Sequence, residues 1–129
     1  MSKKLSMYDK SLVQDILQQI LNATCTIQDR FIPIKSVDDF TNTPAGMEKL
    51  DAICMLVIAI GESLKNLNKI TDKSLLISYP EIDWKGAMGM RDIITHHYFD
   101  IDAEQIFWVC EHQMNPLAET IEKMLENLD

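Results

Sequence analysis

The sequence predicts an all-α fold: an antiparallel four-helix bundle with short accessory helices. Three observations predict it. Glycine and proline number only four each in 129 residues, too few for a loop-rich architecture and favourable to helices. Apolar residues recur at three- and four-residue spacing along most of the chain. No stretch alternates at period two for long enough to make a strand.

The elements follow in order. Ser6-x-x-Asp9 reads as a capping signal, and Leu12, Ile16, Ile20, Ala23 and Ile27 then repeat at helical spacing. This first helix is expected to end near Arg30, ahead of Pro33, with a short helical turn over residues 36–40. Thr43-Pro44 places an N-cap residue before a proline suited to the first helical position. The helix it opens is expected to reach about Asn68, with Met47, Leu50, Cys54, Val57, Gly61 and Leu64 as its packed stripe. Residues 52–60 form the longest apolar run and read as a fully buried segment; nine residues cannot cross a bilayer, which needs about 20. Residues 72–79 read as a short helix or turn stopped by Pro80. Asp83 caps a helix through Trp84, Met88 and Ile94 to about Tyr98. Asp102 with Gln105 resembles a capping box for the last helix. That helix carries Phe107, Cys110, Met114, Leu117, Ile121, Met124 and Leu128, and Pro116 is expected to kink or split it near Met114–Asn115.

No linker or repeat divides the chain, so residues 1–129 are expected to form one domain. The formal charge is −8, and residues 100–129 hold eight acids and one base. Such a chain is not a general nucleic-acid binder. The acidic segment is a solvated helix face or, as the second reading, a surface for a basic partner. Three widely spaced cysteines, Cys25, Cys54 and Cys110, make no disulfide framework and predict a reducing, cytoplasmic setting. No apolar segment follows the basic N-terminus.

Scarce chemistry concentrates in residues 89–99. Arg91 is one of two arginines, and His96 and His97 are two of the three histidines. Histidine moves protons near neutral pH and arginine's planar fork fits a phosphate. Cleaving a phosphodiester needs both roles. Asp92 lies four residues before His96, so the two can pair and orient the ring. On a straight helix, however, His96 lies about 140° around the axis from Arg91. Either the helix loosens at its His-His-Tyr end, or a symmetry-related copy completes the site. Glu62, beside Gly61, is a buried-looking carboxylate that partners the motif helix or is exposed at the end of its run. Cys110 and His112 read as a buried thiol and a surface ring, so no metal site is expected. Trp84 and Trp108 read as packing anchors.

Ile60-Gly-Glu62, Tyr79-Pro-Glu-Ile-Asp-Trp84 and Gly89-Met-Arg91 through His96-His-Tyr98-Phe99, in this order, resemble the HepT-like branch of the HEPN superfamily. The Arg-x4-His-x-Tyr core of that family matches at Arg91, His96 and Tyr98. His97 offers a longer spacing, but only His96 has a tyrosine two residues on. The resemblance implies a HEPN-like bundle that dimerises around the motif helix. It implies a metal-independent ribonuclease without cofactors, acting as the toxin of a HEPN/MNT toxin–antitoxin pair. It also implies a cognate MNT-type nucleotidyltransferase that can attach AMP to Tyr98. In this reading Arg91 steadies the phosphate of the RNA, His96 serves as acid or base, and Asp92 supports it. The rivals are a catalytically silent HEPN module that binds a nucleotidyltransferase or a nucleotide, and a plain structural dimer.

Overall fold

The computed structural model describes residues 9–97 and 99–128. Among them are six α-helices: α1 (Lys10–Phe31), α2 (Asp38–Thr41), α3 (Pro44–Ile70), α4 (Trp84–His96), α5 (Ala103–His112) and α6 (Met114–Glu126). A 3₁₀ turn at Leu76–Ser78 lies in the connection from α3 to α4. No strand occurs among the described residues, and the all-α, HEPN-like class stands.

Local chemistry sets the starts. The Asp9 carboxylate accepts from the Leu12 N–H at 3.1 Å and caps α1; Ser6 lies outside the described residues. Thr43 Oγ1 accepts from the Gly46 N–H at 3.0 Å, with Pro44 first in α3. Asp83 Oδ1 accepts from Gly86 N–H to open α4, and Asp102 Oδ1 accepts from Glu104 and Gln105 N–H to open α5. Each satisfies amide donors that the first helical turn leaves without partners. The second half of the expected capping box is missing, because the Gln105 amide turns instead to Met90 Sδ at 3.9 Å.

Helix α1 lies between α3 and α6, and α3 lies between α1 and α4. The motif helix α4 is therefore at one edge and packs chiefly along α3. One cluster of buried side chains joins all of these helices, with Leu17, Ile20, Ile27, Ile53, Leu64, Leu67, Ile94, Ile106, Ile121 and Met124 essentially inaccessible. Phe31, Phe40 and Phe107 meet with ring centroids 5.1–6.4 Å apart and tie α1, α2 and α5 together. The last helix splits one residue earlier than expected, at Gln113, between α5 and α6. Pro116 has no N–H to offer the His112 carbonyl four residues back, and its ring crowds that carbonyl.

Several burial expectations need correction. Residues 52–60 are not fully buried: Ile53, Cys54, Val57 and Ile60 face the core, whereas Met55 is 66% exposed. An unbroken apolar run on a helix necessarily goes around the axis. Leu12 and Met47 are exposed, while Val13, Leu17 and Thr24 take inward places on α1. Trp84 is the packing anchor expected, with Nε1–H donating to the Tyr79 carbonyl at 2.8 Å. Trp108 is not; it is 51% exposed and lies 5.0 Å from the His112 ring. Cys54 and Cys110 are buried and Cys25 is exposed. Burial, helped by Asp51, pushes the Cys54 thiol up to about 11. Burial, helped by Cys54, pushes Cys110 up to about 12, so both stay protonated at neutral pH. Among the described residues, no helix is long and apolar enough to cross a membrane.

Candidate functional site

Gly61 sets the geometry. A Cβ at this position would lie 3.3 Å from both the Ala87 carbonyl oxygen and Arg91 Cβ, tighter than most Cβ contacts, so glycine lets α3 and α4 approach this closely without either giving way. The next residue, Glu62, then reaches across: its Oε1 lies 2.8 Å from Arg91 Nε. Asp92 Oδ1 lies 3.1 Å from Arg91 Nη1. The guanidinium is thus held between two carboxylates, one from each helix. The three side chains are 38%, 52% and 50% exposed, so these pairs orient the fork more than they stabilise the fold. Glu62 is accordingly the partner of the motif helix that the sequence allowed, but it is exposed rather than buried. Among the described residues no hydrogen bond or ion pair engages Nη2 of Arg91, which leaves that nitrogen for an anion.

His96 is the last residue of α4. Its Nδ1 lies 2.8 Å from the Asp92 carbonyl oxygen. A carbonyl can only accept, so this bond places the proton on Nδ1 and leaves the Nε2 lone pair outward in the neutral ring. Asp92 meets His96 through its backbone, and its carboxylate is committed to Arg91. This corrects the expected carboxylate–imidazole pair: the carbonyl is within reach from the same turn. Thr95 Oγ1 donates to the Arg91 carbonyl at 2.9 Å and tightens the same turn.

Helix α4 stays α-helical through His96. It does not loosen to bring His96 around to Arg91, and no hydrogen bond or ion pair joins those two among the described residues. Of the two routes to convergence, the local one is not taken. Tyr98 lies outside the described residues.

His97 is the C-cap of α4, and its Nδ1 lies 3.6 Å from Asp100 Oδ1. This pair had no signal in the sequence, since it depends on how the chain turns after α4. It lines a cavity of about 220 Å³ between the end of α4 and the start of α5. A larger cavity, about 310 Å³, lies between α3, α4, α5 and α6, walled by Val57, Met90, Val109 and Leu117, and contains neither Arg91 nor His96. Cys110 is buried and His112 exposed, and no group of three or more His, Cys, Asp or Glu side chains among the described residues is placed to hold a metal.

A family model described as "Ribonuclease HepT-like" matches residues 20–124, a span that includes Glu62, Arg91, Asp92, His96 and Tyr98. Among curated proteins the chain is similar to several from Methanocaldococcus jannaschii. It is 29% identical to "Putative RNase MJ0127", over 74% of this chain and 81% of that protein. It is 31% identical to "Gamma-glutamylcyclotransferase and putative RNase MJ0434", over 91% of this chain and 49% of that protein. It is 27% identical to "Putative RNase MJ0125", over 60% of this chain and 64% of that protein. No solved structure matches the chain.

Proposed function

Since the chain belongs to the HepT-like ribonuclease family, we propose that it is the ribonuclease toxin of a toxin–antitoxin pair and works as a homodimer. The observation that carries this reading is the His96 ring, whose Nδ1 bond to the Asp92 carbonyl presents Nε2 as a base. Nε2 takes the proton of a ribose 2′-hydroxyl. The 2′-oxygen then bonds to phosphorus while the bond to the 5′-oxygen breaks, and a second imidazolium protonates that leaving oxygen. Arg91, held by Glu62 and Asp92, stabilises the charge on the phosphorus oxygens. RNA is the substrate, and the chemistry assigned to these residues needs no metal.

One chain offers one such histidine on this helix, turned away from its own arginine. A second copy supplies the missing groups if two α4 helices meet at a twofold axis. Edge placement of α4 supports this, as does Gly89, where an added Cβ would meet nothing within 4 Å. Ile93, one turn on, is 42% exposed. Light scattering at micromolar concentration should therefore give a dimer. Gly89→Arg, a substitution that the isolated chain has room for, should give a folded monomer with cleavage lost. A wild-type monomer that cleaves RNA would overturn the dimeric site.

Control is assigned to a cognate MNT-type nucleotidyltransferase antitoxin that attaches AMP to Tyr98. The added phosphate and base would compete for Arg91 and block RNA. Expression without the neighbouring nucleotidyltransferase should halt growth and degrade RNA, and co-expression should restore both. Intact mass should show AMP-sized additions on the wild type and none on Tyr98→Phe. The second reading, a silent HEPN module that binds a nucleotidyltransferase or a nucleotide, draws on one observation: two carboxylates already occupy Arg91. Intact RNA and normal growth without the partner would select it.

A further inference from the structure

We propose that the cavity beyond the end of α4 is a nucleobase subsite that prefers guanine. Its apolar walls are Ile93 and Ile94 from α4, Ile101 from the connection and Ile106 from α5. Its polar groups are Asp100, Asp102, Gln105 and His97. About 220 Å³ is below the 300–1,000 Å³ usual for drug-sized ligands and suits one flat ring system.

The polar set decides what that ring must offer. Two carboxylates accept only, the Gln105 amide can both accept and donate, and one imidazole completes the set. Carboxylates repel phosphate, so the cavity does not take the backbone of a nucleic acid; it takes hydrogen-bond donors. Asp102 is fixed, because its Oδ1 accepts from Glu104 N–H at 3.0 Å and Gln105 N–H at 3.3 Å. Asp100 Oδ1 stands 3.6 Å from His97 Nδ1, an ion-pair separation too long for a hydrogen bond. Guanine is the one base of the four with two adjacent donors, N1–H and N2–H, on its Watson–Crick edge, which match the two oxygens of a carboxylate. Adenine and cytosine set a ring acceptor beside their amino group, and uracil flanks its single N–H with two carbonyls. Recognition of unstacked bases through this edge is the usual way that single-stranded RNA is read.

Position links the subsite to the chemistry. His97 in the cavity wall directly follows His96, which does not itself line the cavity, so a base seated there and the proposed catalytic ring would meet one RNA at neighbouring points. That consequence rests on the ribonuclease reading; the binding itself does not.

The test is a methyl NMR titration of the full-length chain with GMP, AMP, CMP and UMP. GMP should shift the Ile93, Ile101 and Ile106 methyls and the Gln105 side-chain amide saturably. AMP, CMP and UMP should bind about tenfold or more weakly, the discrimination expected of one bidentate contact. Asp102→Asn keeps an equally good helix cap and removes the anionic acceptor; combined with Asp100→Asn it should abolish the preference for GMP. Equal shifts with all four nucleotides, or shifts only around the larger cavity, would overturn the proposal, as would no shifts at all. Because the readout is binding, the two readings fail separately: GMP selectivity without RNA cleavage keeps the subsite and removes the ribonuclease, and cleavage without base preference does the reverse.

Discussion

His96→Ala is expected to lower RNA cleavage by about 10²–10⁴-fold, the usual contribution of a general acid–base group, with little change in stability. The ring is exposed at the last residue of α4. Removing it opens no cavity, so the urea midpoint and helical content should hold. The tautomer argument makes the position specific: Nδ1 is tied to the Asp92 carbonyl at 2.8 Å, and Nε2 is the working atom. His97 faces Asp100 instead, and His97→Ala should reduce cleavage far less. Equal loss in both variants would mean that the wrong ring was assigned. Arg91→Lys should fail as well. Arg91 makes an ion pair with Glu62 through Nε and donates to Asp92 through Nη1, leaving Nη2 for the substrate, whereas an ammonium on a flexible stem cannot hold that fork.

Much of the fold was legible because helix starts are local events. Thr43-Pro44, Asp83 and Asp102 are caps in the structure as they are on paper, since the bond that makes each cap spans only two or three residues. What the one-dimensional pattern misjudges is which side of a helix faces in. Residues 52–60 look uniformly buried, yet the core takes Ile53, Cys54, Val57 and Ile60 and leaves Met55 outside. Trp108 stands outside for the same reason: apolar character states what a side chain can do, and the neighbouring helix decides whether it does.

The site divides in the same way. Arg91, Asp92 and His96 are close in sequence and could be singled out there. The Glu62–Arg91 pair crosses between helices, so the sequence allowed Glu62 as a partner of the motif helix without naming Arg91 as the residue it meets. The exchange of partners at Asp92, carboxylate to Arg91 and carbonyl to His96, turns on rotamers that no spacing rule fixes. The cavity formed by His97, Asp100, Asp102 and Gln105 left no trace, because it exists only once the chain beyond α4 turns back to begin α5.

The largest effect on stability is expected from Gly46→Ala. Intrinsic preference argues the other way, since alanine favours a helix interior over glycine by about 1 kcal/mol. Gly46 is buried in the first turn of α3, where α2 crosses it. A Cβ there would run into the Asp39 carbonyl oxygen and would also lie 3.0 Å from the Phe40 carbonyl oxygen. Both obstacles are backbone, so no rotamer change relieves them. Helix α2 must move off, and Phe40, fully buried against Phe31 and Phe107, moves with it. Overpacking of this kind costs about 1–3 kcal/mol and sometimes more, enough to outweigh the gain in propensity and lower the urea midpoint. An unchanged or raised midpoint would mean that α2 can step aside freely. Arg91, Glu62 and His96 do not touch α2, so the Gly46→Ala protein that remains folded at low temperature should cleave at the wild-type rate. His96→Ala should show the opposite pattern, full stability without cleavage, and the pair separates the residues that hold the bundle from those that do its chemistry.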